Sequence, residues 1–112
     1  MEIAILESGP ISVVAIRGSV DGLTAGDLSD AVGAQVRAGR IRLVADFAGV
    51  EYISSAGLRA LLGALKDARQ QGGDFRLAAI RPDVQRVLDL SGFTSILKAF
   101  ATVEAAVGSF VG

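Results

Sequence analysis

The sequence predicts a single α/β domain over residues 1–112: an N-terminal β-hairpin leading into a mainly parallel, mixed sheet of about five strands, packed against about four helices. Three observations predict it. Apolar residues alternate in two short runs at the start, on either side of a turn. Beyond residue 24 the apolar period changes repeatedly between that of helices and that of strands. Strands that alternate with helices imply right-handed crossovers and therefore parallel pairing. At 112 residues the chain suits one core, and 51% hydrophobic against 21% charged residues sets it apart from disordered sequences.

The first strand is expected over Glu2 to Glu7, through Ile3 and Ile5, and the second over Ile11 to Arg17, through Ile11, Val13, Val14 and Ile16. Ser8-Gly9-Pro10 between them is turn chemistry. The outer edge of this hairpin could support a weak homodimer. Leu28, Ala31, Val32 and Val36 then recur at helical spacing, predicting a helix near residues 25–38 with Thr24 as N-cap, Asp27 in the first turn and Gly39 at its end.

Ile41 to Phe47 is a compact apolar run of the kind found in a central strand covered on both faces. After Gly49-Val50-Glu51-Tyr52-Ile53 a long helix is expected, with Leu58, Leu61, Leu62 and Leu65 on its apolar face and Gly72-Gly73 closing it. Phe75 to Ile80 reads as a further strand. Pro82 opens a shorter helix that turns Val84, Val87 and Leu88 inward and stops at Gly92. Ile96 to Phe100 reads as a short last strand, and Thr102 as the N-cap of a final helix carrying Val103, Ala106 and Val107.

Composition narrows the classes of function. There is no histidine and no cysteine, so thiolate chemistry, imidazole catalysis and the usual nitrogen and sulfur metal ligands are absent, and no cofactor is expected. Lys66 and Lys98 are the only lysines, and no Gly-x-x-x-x-Gly-Lys loop occurs. An enzyme is therefore not expected. Eleven basic residues against twelve acidic ones, dispersed along the chain with a net charge of −1, argue against nucleic acid. No window is apolar enough for membrane insertion, and the acidic start does not resemble a signal peptide, so the cytoplasm is the expected compartment.

The most informative stretch runs from Asp46 through Ile53-Ser54-Ser55-Ala56-Gly57-Leu58, out of a central strand into a helix N-terminus. Two hydroxyls sit where backbone N–H groups lack partners, and on one reading Ser54 or Ser55 is only an N-cap. A phosphate attached there would be held by the same donors, and would add about −1.5 to −2 charges to a surface that a partner must cover.

Three segments carry a resemblance: Gly18-Ser19-Val20-Asp21-Gly22-Leu23-Thr24-Ala25, the Ile53 to Leu58 turn, and Pro82-Asp83-Val84-Gln85-Arg86-Val87-Leu88 ending in Ser91-Gly92-Phe93. In this order and at this spacing they resemble the STAS domain, in particular the bacterial anti-sigma factor antagonists. The resemblance spans essentially the whole chain. It implies a partner switch in which the unphosphorylated antagonist captures a kinase-type anti-sigma factor, and phosphorylation of one serine undoes the capture. The acceptor of such proteins is the first serine of an Asp-Ser-Ser/Thr-Gly-Leu motif, a position held here by Ser55. The chain departs from that motif at Ser54, where an acid stands in sporulation-type antagonists, and at Ala56, which replaces a second hydroxyl. An acid beside the serine is not needed for the chemistry if the kinase supplies the base.

By the same resemblance Asp21 is the acidic loop residue beside the acceptor. It is either a contact to the kinase or a carboxylate bonded to nearby backbone N–H groups. Arg59, away from the leucines, faces a partner or solvent. Gly57 is a conformational or close-packing residue, and Phe93 either lies near the partner surface or covers the end of the sheet. Two other readings stay open: a subunit of a lipid-transport ATPase or stress-signalling assembly that needs no modification, and a nucleotide or other small ligand at the helix end.

Overall fold

Gly9, at φ 59°, turns β1 (Glu2–Ser8) back antiparallel along β2 (Ile11–Val20), with Ile3 opposite Ile16 and Ile5 opposite Val14. The computed structural model, which describes residues 1–110, continues with α1 (Ala25–Arg37), β3 (Arg42–Ile53), α2 (Ser55–Gln70), β4 (Asp74–Ala78), α3 (Pro82–Leu90), a 3₁₀ turn at Phe93–Ser95, β5 (Ala99–Phe100) and α4 (Val103–Gly108). The sheet order is β1-β2-β3-β4-β5. All pairs after the hairpin are parallel, so β3 is central as the apolar run predicts.

One face of the sheet presents Val14, Ile16, Leu43, Ala45, Phe47, Phe75 and Leu77 to Leu28 and Val32 of α1, Leu61 and Leu65 of α2, and Leu88 of α3. The other face presents Ile11, Val13, Val44 and Ala78 to Ala106 of α4, joined by Val103, Val107 and Phe110. Below α4 the Asp74 carboxylate accepts hydrogen bonds from Arg76 Nε (2.9 Å), Arg69 Nε (3.1 Å) and the Phe75 N–H (3.0 Å). Arg76 in turn donates to Ser109 Oγ at 2.7 Å and lies 3.9 Å from the centroid of the Phe110 ring. Burial alone would raise the Asp74 pKa, but the Arg76 hydrogen bond, with those from Phe75 and Arg69, outweighs it and holds the carboxyl below its ordinary value.

Several elements differ from the sequence expectation. The strand expected to end at Phe47 runs on to Ile53, because β2 also continues to Val20 and pairs with it, Gly18 opposite Val50 and Val20 opposite Ile53. The register shifts along this stretch, and Gly49 permits the close approach: a Cβ there would lie 2.9 Å from the Ile16 carbonyl oxygen. Leu62 is not on the buried face of α2 but 38% exposed. The buried stripe is Gly57, Ala60, Leu61, Ala64, Leu65 and Ala68, whose small residues let the helix sit close to its neighbours and leave Leu62 beyond the edge of the stripe. Val87 is only half-buried. The last strand is cut to two residues, with Phe93–Ser95 forming a 3₁₀ turn and Ile96 exposed. Thr24 stands at the N-cap of α1 but makes no capping hydrogen bond, for a reason that lies in the loop before it. Thr102 does cap α4, accepting from Ala105 N–H at 3.1 Å.

Candidate functional site

The parallel strands β2 and β3 end side by side at Val20 and Ile53, and the chain leaves both in loops that meet. The Ser54 N–H donates to the Val20 carbonyl at 2.9 Å, extending the β2–β3 pairing by one bond. Immediately beyond it α2 begins. A Cβ on Gly57 would lie 2.5 Å from the Val20 carbonyl oxygen and 2.7 Å from Ile53 Cγ1. Gly57 is therefore a close-packing residue: only a hydrogen at that position lets the first turn of α2 rest against the end of β2.

The two serines have different surroundings. Ser54 is the N-cap, extended at φ −94° and ψ 176°, and its Oγ accepts the Gly57 N–H at 3.2 Å while its carbonyl accepts from Leu58 N–H. Ser55 is the first helical residue, exposed, and its hydroxyl makes no hydrogen bond among the described residues. Helix geometry explains the split: an N-cap side chain folds over the first turn, whereas the next residue points outward from it.

Asp21 opens the loop that follows β2. Its carboxylate accepts the Leu23 N–H at 2.9 Å and its carbonyl accepts the Ala25 N–H at 2.8 Å. Thr24 Oγ1 accepts the Asp21 N–H at 2.9 Å and donates to the Ser19 carbonyl at 2.8 Å, which diverts it from capping α1. Asp21 is thus bound to nearby backbone, one of its two expected roles. The loop so tied holds Leu23 outward with 93% of its surface exposed. Sequence reasoning did not single out Leu23, because a lone leucine between Gly22 and Thr24 carries no periodic signal.

Asp21, Ser54, Ser55 and Gly57 are therefore brought to one end of the sheet. Arg59 joins them, exposed on α2 four residues after Ser55. Phe93 does not. It is half-buried, and lines a small apolar gap with Leu77, Leu88, Leu97 and their neighbours. The carbonyl of nearby Ile96 is bonded by Arg69 of α2 at 3.1 Å. Arg69 lies about 21 Å along the helix from Ser55, at 1.5 Å per residue. Phe93 therefore packs against the core beside β4, away from the strand ends that carry Ser55.

The STAS domain profile matches residues 2–106. BtrV of Bordetella bronchiseptica, named as an anti-sigma factor antagonist, is 38% identical over 98 residues, covering 88% of this chain and 84% of BtrV. The anti-sigma-F factor antagonist RsfB of Mycobacterium tuberculosis is 28% identical over 105 residues, covering 94% of this chain and 85% of RsfB. The crystal structure of an anti-sigma factor antagonist from Mycobacterium paratuberculosis superposes with a TM-score of 0.87 at 28% identity, covering 96% of this chain and 92% of that one. With its sheet order, its hydroxyl-bearing helix start and these relatives, the chain belongs to the STAS domain family, among its anti-sigma factor antagonists.

Proposed function

We propose that this chain controls a sigma factor by partner switching: unphosphorylated, it binds a kinase-type anti-sigma factor through the end of the sheet that carries Asp21, Leu23, Ser54, Ser55 and Arg59, and phosphorylation of Ser55 releases it. The observation that carries the reading is the division of labour between the serines. Ser54 is committed to the helix cap, whereas Ser55 is exposed with an uncommitted hydroxyl at the start of a 16-residue helix.

In the transfer, Ser55 Oγ bonds to the γ-phosphorus of ATP as the bond from that phosphorus to the β,γ-bridging oxygen breaks. ADP leaves, and the hydroxyl proton passes to a base of the kinase. The product adds about −1.5 to −2 charges at neutral pH. Because Ser55 is not the cap, the fold tolerates the phosphate, and the first-turn N–H groups favour an anion there. The penalty falls on the complex, whose partner would have to cover a dianion on the same end of the sheet as the exposed Leu23. The chain acts as a binding protein and as the substrate of its partner. No helix is long and apolar enough to cross a membrane among the described residues, and the cytoplasm is where such a switch would meet its partner.

The test is intact-protein mass after incubation with ATP and each kinase-type anti-sigma factor of the source organism, with Ser55→Ala alongside. One added phosphate, absent from the variant, supports the switch. Tight binding that Ser55→Asp leaves unchanged would instead point to a STAS subunit of a transport-associated or stress-signalling complex.

A further inference from the structure

On a helix surface a residue touches those three and four positions away. Around Arg59 those positions hold Ser55, Ala56, Leu62 and Gly63. Ser55 is the only polar side chain of the four and the only one able to acquire a charge. Arg59 is exposed and, among the described residues, makes no ion pair and no side-chain hydrogen bond, as is true also of Arg37, Arg42 and Arg86, whereas Arg17, Arg40, Arg69 and Arg76 are each paired with a carboxylate. Of the unpaired arginines Arg59 alone lies one helical turn from Ser55. α2 also has no acidic residue in its first turn, where α1, α3 and α4 carry Asp27, Asp83 and Glu104.

We propose that Arg59 is the internal counter-ion of phosphorylated Ser55: the modification creates an ion pair across one turn of α2 and withdraws Arg59 from the partner. The inference rests on Ser55 being the acceptor. The order is the favourable one, anion N-terminal to cation at i and i+4, aligned with the helix macrodipole. A guanidinium meets two phosphate oxygens through a planar fork of parallel N–H donors, a preorganised geometry that an ammonium lacks. The free chain thus presents a cation and an uncharged hydroxyl, suited to a partner surface with a carboxylate opposite Arg59. The modified chain presents a phosphate whose neighbouring cation is already engaged. One modification then alters two contacts, and the second is a property of this sequence, since it depends on arginine at position 59.

The test uses the full chain with phosphoserine encoded genetically at position 55, so that no kinase is required. The phosphate is titrated by ³¹P NMR in parallel in the Arg59, Arg59→Lys and Arg59→Gln forms. The charges of Asp21, of Glu51 and of Arg17 and Arg81, which share a recess with Glu51, are the same in all three. The second phosphate pKa, ordinarily about 6, is expected to be lower with arginine than with glutamine by roughly 0.15 to 0.4 of a pH unit. Lysine should fall between, and molar salt should narrow the gap. Against the anti-sigma factor, Arg59→Gln should weaken the unphosphorylated chain several-fold and the phosphorylated chain little. Identical titrations of the arginine and glutamine forms would overturn the pairing. Equal partner affinity of their unphosphorylated forms would overturn the withdrawal. Failure of every kinase to modify Ser55 would fall on the parent reading, and it would leave the titration result in hand to distinguish the two.

Discussion

Two glycines of α2 carry the same substitution to opposite outcomes. A methyl group at Gly57 would lie 2.5 Å from the Val20 carbonyl oxygen, 2.7 Å from Ile53 Cγ1 and 3.1 Å from Val20 Cγ1, while one at Gly63 would meet nothing within 4 Å. Alanine in a helix interior is worth about 1 kcal/mol over glycine. At Gly63 nothing opposes that gain, so Gly63→Ala is expected to stabilise by up to about 1 kcal/mol. At Gly57 the obstacle is a backbone oxygen that already accepts the Ser54 N–H. It cannot swing aside as a side-chain end would, and overpacking of this kind costs about 1–3 kcal/mol. Since Gly57 lies in the first turn, only part of the propensity gain offsets this, leaving a net loss of about 1–2 kcal/mol. Urea unfolding followed by far-UV circular dichroism measures both variants in one series. The same packing docks the first turn of α2, which carries Ser55, on the end of β2, so Gly57→Ala should also slow phosphorylation where Gly63→Ala does not. A Gly57→Ala variant as stable as the parent, or shifted in the same direction as Gly63→Ala, would refute the close-contact argument.

Further outcomes follow from the same geometry. Ser54→Ala removes the cap of α2 and should cost about 1 kcal/mol in urea unfolding, whereas Ser55→Ala should stay within about 0.5 kcal/mol of the parent and yet accept no phosphate. Leu23→Ser exposes no core surface, so its melting temperature should match the parent, while its affinity for the anti-sigma factor in calorimetry should fall about tenfold or more. Equal affinities would remove Leu23 from the interface. Asp74 has a depressed pKa in the fold, so the stability it contributes is fully present above its unfolded value of about 3.8 and is lost as the pH falls through the lower folded value. Urea midpoints measured from pH 6 to 2.5 should therefore fall more steeply for the parent than for Asp74→Asn.

Much of the architecture was legible because periodicity reports burial. The hairpin, the central β3, the helix starts at Ala25 and Pro82, and the Thr102 cap follow from local patterns that the fold did not override. The extension of β3 to Ile53 was not legible. Gly49-Val50-Glu51-Tyr52-Ile53 has little alternation of its own and is held as a strand by pairing with the far end of β2. Leu62 was misplaced for a related reason. Hydrophobicity marks leucine as core, but α2 approaches its neighbours on Ala60, Ala64 and Ala68, whose small size matters only once the packing partner is known.

The candidate site divides in the same way. Residue order by itself placed a pair of serines at a helix start after a central strand and, through the motifs of its family, identified the chain's kin. It left Ser54 and Ser55 equivalent as caps. Only the tertiary structure assigned the cap to Ser54, whose Oγ accepts the Gly57 N–H while its own N–H is held by the Val20 carbonyl, with the glycine at 57 letting α2 dock there. It likewise decided that Asp21 is bound within its own loop, that Leu23 stands out from it, and that Phe93 belongs to the packed flank of the sheet. Local sequence determines which backbone groups need partners and which faces are apolar. Which atoms meet those needs depends on contacts between segments distant in the chain, and these form only when the strands come together.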